Sequence, residues 1–208
     1  MTPSPAPTLD RLIARTGSLR LTVDQRILAS LASYFDLLQR WNEKINLTSL
    51  GDGDEAIDRL IMEPLVAARF LPRGGPLLDV GSGGGSPAIP LAISLDCSLT
   101  MVESRGRKAA FLREALRTLN LNGRVETDRA EALVAVPELR KAARIVSLRA
   151  VRMTSQLSNA LVDLLADDGF IAMFSKHSEA VPERFKAAGA HSLVPATQSF
   201  LHCFVPIR

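Results

Sequence analysis

The sequence predicts an α/β fold: a mostly parallel sheet covered by helices, with an N-terminal helical extension before it and a C-terminal antiparallel hairpin at its end. Three observations carry this. From Leu77 onward short apolar segments alternate with helical ones, the pattern that a parallel sheet with helices on both faces requires. Residues 21–72 carry helical periodicity with no strand pattern. Near the end, 191–195 and 200–206 read as strands separated by 196–199, a loop of hairpin length.

Composition sets the frame. At 208 residues the chain has room for one main core. Its 47% apolar and 23% charged residues match a folded globular protein and exclude a disordered one. No apolar run approaches the roughly eighteen residues of a membrane span, and the start is proline-rich where a leader would be basic and then apolar. A cytoplasmic protein without membrane contact is expected. The two cysteines, Cys97 and Cys203, lie far apart without ligand spacing, so neither a disulfide framework nor a metal site is supported. A net charge of +3, from 25 basic against 22 acidic residues, is too mild to identify a nucleic-acid partner by itself.

Taken in order, residues 1–20 open with prolines at 3, 5 and 7 and are expected to be a mobile segment outside the fold. The extension occupies 21–72. Thr22 and Gln25 have capping-box spacing, and Ile27, Leu28, Leu31, Phe35, Leu38 and Trp41 fall on one helical stripe. A second helix starts at the N-cap candidate Asp54, with Pro64 marking a break and Pro72 an end. The ligand-binding domain spans 73–208. Its strands are expected at 77–80, 99–103, 124–127, 145–148 and 170–174, and its helices at 87–95, 107–121, 130–136 and 154–166.

The sharpest signal is Leu77-Leu-Asp-Val-Gly-Ser-Gly-Gly-Gly-Ser-Pro87, a strand running through glycines into a helix. Such a junction at the carboxyl end of a parallel sheet is where these folds bind nucleotides. Gly81 and Gly83 supply the tight turn and bare amides a ligand can approach. The next strand ends at Glu103, 22 residues after Gly81, where a carboxylate accepts hydrogen bonds from ribose hydroxyls. A pyrophosphate loop of the G-x-G-x-x-G type would place glycine at 86, and this chain has Ser86. That departure weighs against NAD or FAD and favours S-adenosyl-L-methionine, which carries ribose and adenine without phosphate. A nucleophile elbow on Ser86 is the rival, weakened by Pro87 and by the missing final glycine.

With these residues assembled, the chain resembles the ribosomal RNA small subunit methyltransferase G family, also called glucose-inhibited division protein B. The likeness runs from Tyr34 to Lys176: Tyr34 with Trp41-Asn42 and Asn46-Leu47-Thr48, then Asp79-Val-Gly-Ser-Gly-Gly-Gly-Ser-Pro-Ala-Ile-Pro-Leu-Ala92. Glu103-Ser104 follows with Arg107-Lys108 and Phe111-Leu112, then Arg129-Ala130-Glu131 and Ser147-Leu-Arg149-Ala150. The resemblance implies a Rossmann-like class I methyltransferase with cofactor contacts at Gly81, Ser86, Ala130, Glu131 and Arg149. It further implies methylation of a guanine N7 in 16S ribosomal RNA. Ser86 and Ala88 stand where the family usually has a bulky apolar residue and glycine, and His177 replaces a common glycine, departures that bear on cofactor affinity and pocket shape.

The residues can be set against that chemistry. Purine N7 offers a lone pair and bears no hydrogen, so no general base is required, and Arg149 at a strand end becomes a candidate for positioning substrate or cofactor. Neither cysteine lies near the glycine loop, as a pyrimidine C5 mechanism would need, and the fourth strand ends in Ser147-Leu148-Arg149, unlike amine methyltransferases. RNA attraction is expected from two basic runs: Arg105, Arg107, Lys108, Arg113 and Arg117, and Arg140, Lys141, Arg144, Arg149 and Arg152. The resemblance implies 16S ribosomal RNA or the small ribosomal subunit as partner, and a monomer is expected. A non-catalytic RNA-binding or assembly protein, or a methyltransferase acting on protein or a small molecule, remains the alternative.

Overall fold

A computed structural model describes residues 7–177 and 180–207. The start of the expected mobile segment, residues 1–6, lies outside the described residues. Thr8–Ser18, however, is a helix, α1. The expectation of a mobile 1–20 is corrected there, because Leu12 and Thr16, one turn apart, bury a narrow face against the next helix. So short a stripe is legible only with its partner in place.

Helix α2 spans Gln25–Asn42. Its N-cap is Asp24, whose carboxylate accepts from the Arg26 amide at 2.7 Å, and not the Thr22–Gln25 box. Leu28, Leu31, Phe35 and Leu38 form the buried stripe, and Tyr34 is fully buried on its flank. Helices α3 (Asp54–Ile57) and α4 (Glu63–Ala67) are joined by a π-helical turn, Asp58–Met62. Pro64 therefore does not break the rod: it sits in the first turn of α4, where a missing amide is tolerated. Gly53, not Asp54, caps α3.

The sheet has seven strands: β1 Leu77–Val80, β2 Leu99–Val102, β3 Gly123–Glu126, β4 Ala143–Arg149, β5 Leu165–Ser175, β6 Phe185–Ser192 and β7 Phe200–Pro206. Their order is β3-β2-β1-β4-β5-β7-β6. The first five are parallel and β7 runs antiparallel between β5 and β6. The chain winds outward from β1 to β3 and returns to the other side of β1 as β4, which places the topological switch point at the carboxyl ends of β1 and β4. Helices α5 (Ala88–Leu95), α6 (Gly106–Thr118) and α7 (Ser155–Leu164) connect the strands. One core joins α1, α2, α5 and α6 to the sheet, and a second lies under α7.

Two expectations shift. Residues 130–136 form a 3₁₀ turn, Ala130–Ala135, because Pro137 disfavours helical geometry at Val136. The hairpin's first strand begins at Phe185, and 193–199 connects the pair through a 3₁₀ turn at Pro195–Thr197. Strand β6 lies at the sheet edge and exposes both faces beyond Phe185, so it lacks the alternation that marks a half-buried strand.

Candidate functional site

Strand β1 leaves the sheet at Val80 and enters the glycine loop. Gly81, Gly83 and Gly85 have φ of +73°, +53° and +86°, a left-handed backbone that favours glycine. A Cβ on Gly81 would sit 2.7 Å from Val151 Cγ2, and one on Gly85 would sit 2.6 Å from Ile89 Cδ1. The loop is thereby packed tightly below and bare above.

Glu103, one residue past β2, is 6% exposed. Its Oε2 accepts from the Gly83 amide at 2.9 Å and its Oε1 from the Arg105 amide at 2.8 Å. Each oxygen keeps a lone pair for a further donor. The loop's amides are otherwise mostly engaged: Gly81 and Ser82 donate to Val102 O, and Gly85 donates to Ser82 O. A loop whose central amide holds a carboxylate repels a pyrophosphate. It suits a sugar whose hydroxyls donate to that carboxylate.

Beside the loop opens a cavity of about 580 Å³. Gly81, Gly83, Ser86 and Arg149 line it on the sheet side, as do Leu47, Thr48 and Arg59 on the side of the helical extension. Glu103 touches the same loop from β2. The structure thus brings these five expected residues to one place. Ala130, buried, and Glu131, exposed, open the 3₁₀ turn that follows β3 at the same sheet edge; they do not line the cavity.

Arg149 differs from expectation. Its side chain is 13% exposed, and its Nη2 pairs with Glu63 Oε2 at 2.8 Å. Nη1 donates to Arg59 O at 2.5 Å and approaches Ser86 Oγ at 3.4 Å, and the guanidinium lies 4.8 Å from the centre of the Phe174 ring. The acid that claims it lies 86 residues away in the chain, a partner no local spacing reveals. Ser86 likewise turns toward the extension, donating to Leu60 O at 2.8 Å. The rival nucleophile reading has no support from this placement, because the hydroxyl is held by a carbonyl.

Three residues join the site that the sequence does not mark as contacts, two of them, Tyr34 and Asp79, read there only as parts of the family likeness. Tyr34 donates from its hydroxyl to Gly84 O at 2.6 Å, bracing the loop from α2. Burial pushes this phenol far above its ordinary range, so it stays a donor. Asp79, at 1% exposure beneath the loop, accepts from Ser147 Oγ at 2.5 Å. Burial raises its pKa to about 6, against the hydrogen bonds from Ser147 and Ser82, which lower it. Glu63 is the third, at 1% exposure.

The basic runs are partly engaged at home. Arg144 pairs with Asp168, Lys141 Nζ donates to Val162 O, and Arg113 holds Val125 O and Thr127.

A family model described as rRNA small subunit methyltransferase G matches residues 27–204. The chain belongs to the rRNA small subunit methyltransferase G family. It is 37% identical to the ribosomal RNA small subunit methyltransferase G of Gluconobacter oxydans over 84% of this chain and 90% of the relative. The protein of the same name from Stenotrophomonas maltophilia is 42% identical over 62% of this chain and 59% of the relative. The fold is shared with a SAM-dependent methyltransferase from Aquifex aeolicus, at a TM-score of 0.56 and 13% identity over 73% of this chain and 93% of that one. An rRNA methylase from Streptococcus thermophilus matches at a TM-score of 0.51 and 16% identity, over 71% and 95%. As a member of the rRNA small subunit methyltransferase G family, the chain is an S-adenosylmethionine-dependent enzyme. The carboxylate past the second strand, held by the loop's central amide, fits that cofactor's adenosine.

Proposed function

We propose that this enzyme methylates N7 of a guanine in 16S ribosomal RNA, with the cofactor across the tips of β1 and β2 and the acceptor base in the adjoining cavity. The observation that carries the reading is the junction of the two: Gly81 and Gly83 border both the Glu103 carboxylate's side of the loop and the 580 Å³ cavity. S-adenosylmethionine supplies an electrophilic methyl on a sulfonium. The protein's part is to hold and to exclude. Glu103 receives the ribose hydroxyls, Gly81 and Gly83 let the backbone approach, and Asp79 lends negative charge beneath a cationic ligand. Ala130 and Glu131 flank the adenine end, while Ser86 and Arg149 shape the wall between extension and sheet.

Guanine N7 needs no proton removed, so alignment and desolvation can supply the rate. The cavity's lining fits this division of labour: Leu38, Leu47, Leu50 and Leu60 keep water out, and Arg59 and Lys176 at the rim face an anionic polymer. The extension at 21–72 and the unit at 73–208 act as two parts of one catalytic body, since both supply the cavity's walls.

Labelled methyl groups offered with small subunits, naked 16S RNA and protein extract test the substrate. Transfer to RNA is expected, and it should vanish when the acceptor guanine is replaced by 7-deazaguanine. Transfer that survives this replacement, or goes to protein alone, refutes the reading.

A further inference from the structure

A second cavity, larger than the one beside the glycine loop, opens elsewhere on the molecule. A groove of about 1050 Å³ lies at the amino-terminal edge of the sheet, bordered by the start of α2, the end of α5 and the segment before β1. Arg20, Arg26, Arg69 and Arg73 line it, opposed by Asp24 and Asp96. Asp24 is already occupied, capping α2 and lying 3.6 Å from Arg26. Among the described residues, Arg20, Arg69 and Arg73 have no ion pair or hydrogen-bond partner for their side chains. These three cations are thus unanswered among the described residues, in contrast to Arg26, Arg144 and Arg149.

Unpaired guanidinium forks converging on an open groove match phosphate oxygens, which they bind in bidentate fashion. Phe70, which follows Arg69 in the chain though it does not line the groove, is 43% exposed and stacks on His191 with ring centres 4.0 Å apart, and an exposed aromatic near a basic groove is a feature that single-stranded nucleic acid uses. From Ile27 in the groove to Leu38 at the catalytic cavity, α2 rises roughly 16 Å, too far for one nucleotide to occupy both places.

We infer that this groove is a second RNA-binding site, gripping phosphates of the substrate RNA away from the nucleotide being methylated. The inference rests on RNA being the substrate. It assigns to the groove a share of the RNA affinity separate from that of the basic runs.

The experiment compares the wild-type enzyme with R69E/R73E, both exposed positions outside the catalytic cavity. Binding to protein-free 16S RNA is measured across a salt series, alongside methylation kinetics and cofactor affinity. The charge-reversed variant should lose roughly tenfold or more in RNA affinity near 0.1 M salt, with a shallower salt dependence by about 0.7–0.9 per lost phosphate contact. KM for RNA should rise while kcat and cofactor affinity hold, and R69K/R73K should retain most of the binding. Unchanged affinity for protein-free 16S RNA and an unchanged salt slope in R69E/R73E would overturn the groove assignment. Failure of the wild-type enzyme to methylate RNA would instead sink the substrate reading, and the binding series reports that separately.

Discussion

Glu103 and Asp79 are two buried carboxylates at adjacent strand tips, with opposite prospects. Glu103 is satisfied by two backbone amides, so its charge is held in place before the cofactor arrives. Glu103→Ala should weaken S-adenosylmethionine binding by roughly 1.5–3 kcal/mol, the loss of charged hydrogen bonds to the ribose; calorimetry giving wild-type affinity would remove it from the site. Asp79 is strained by burial, its pKa lifted to about 6 from 3.8. A carboxyl with a raised folded pKa stabilises the fold only while protonated, so its contribution falls as pH climbs from about 4 through 6. Asp79→Asn should therefore raise stability at pH 7.5 by up to roughly 3 kcal/mol, with little gain at pH 4. The same variant should lose the acid limb of kcat/KM near pH 6 and bind the cationic cofactor less well. Denaturant melts at both pH values check the first claim, and a variant no more stable at pH 7.5 would show Asp79 to be comfortable as an anion.

At the scale of elements, α1 is hidden in the sequence where the tight glycine turn after β1 is plain. The loop announces itself through residues that act locally: glycines at left-handed positions and a carboxylate at a fixed remove. Helix α1 depends on Asp58, 43 residues away, whose two oxygens each accept from Arg15 at 2.5 Å. Asp58 raises the Arg15 pKa further through that bond. The pair ties α1 to the π-helical turn that also carries Arg59 and Leu60, the carbonyls holding Arg149 and Ser86. Arg15→Ala strands a nearly buried carboxylate and should cost roughly 2–4 kcal/mol. A melt within about 0.5 kcal/mol of wild type, the range of an ordinary surface change, would mean that α1 is dispensable. The edge strand β6 was missed for a related reason: an element exposed on both faces leaves no periodic trace.

For the whole molecule, a buried ion pair, Glu63 with Arg149, ties the helical extension to the methyltransferase sheet. The strand-end position of Arg149 made it look like a ligand contact. The structure puts its charge against the extension, with Glu63 Oε1 and Arg149 Nε buried without partners. Burial depresses the Arg149 pKa and the Glu63 carboxylate raises it, so each member depends on the other. Arg149→Ala alone should therefore destabilise the protein by roughly 3–5 kcal/mol and impair methylation through the fold, because an unpaired acid remains inside. A double replacement separates structure from function. Arg149→Met with Glu63→Leu removes both charges at similar volume, an exchange that is often neutral or better for stability. The double variant should regain most of the lost stability and bind S-adenosylmethionine within a few-fold of wild type, which makes Arg149 a positioning residue. If it folds as well as wild type yet loses tenfold or more in cofactor affinity, the guanidinium itself belongs among the cofactor's contacts, and the ion pair is only its mooring.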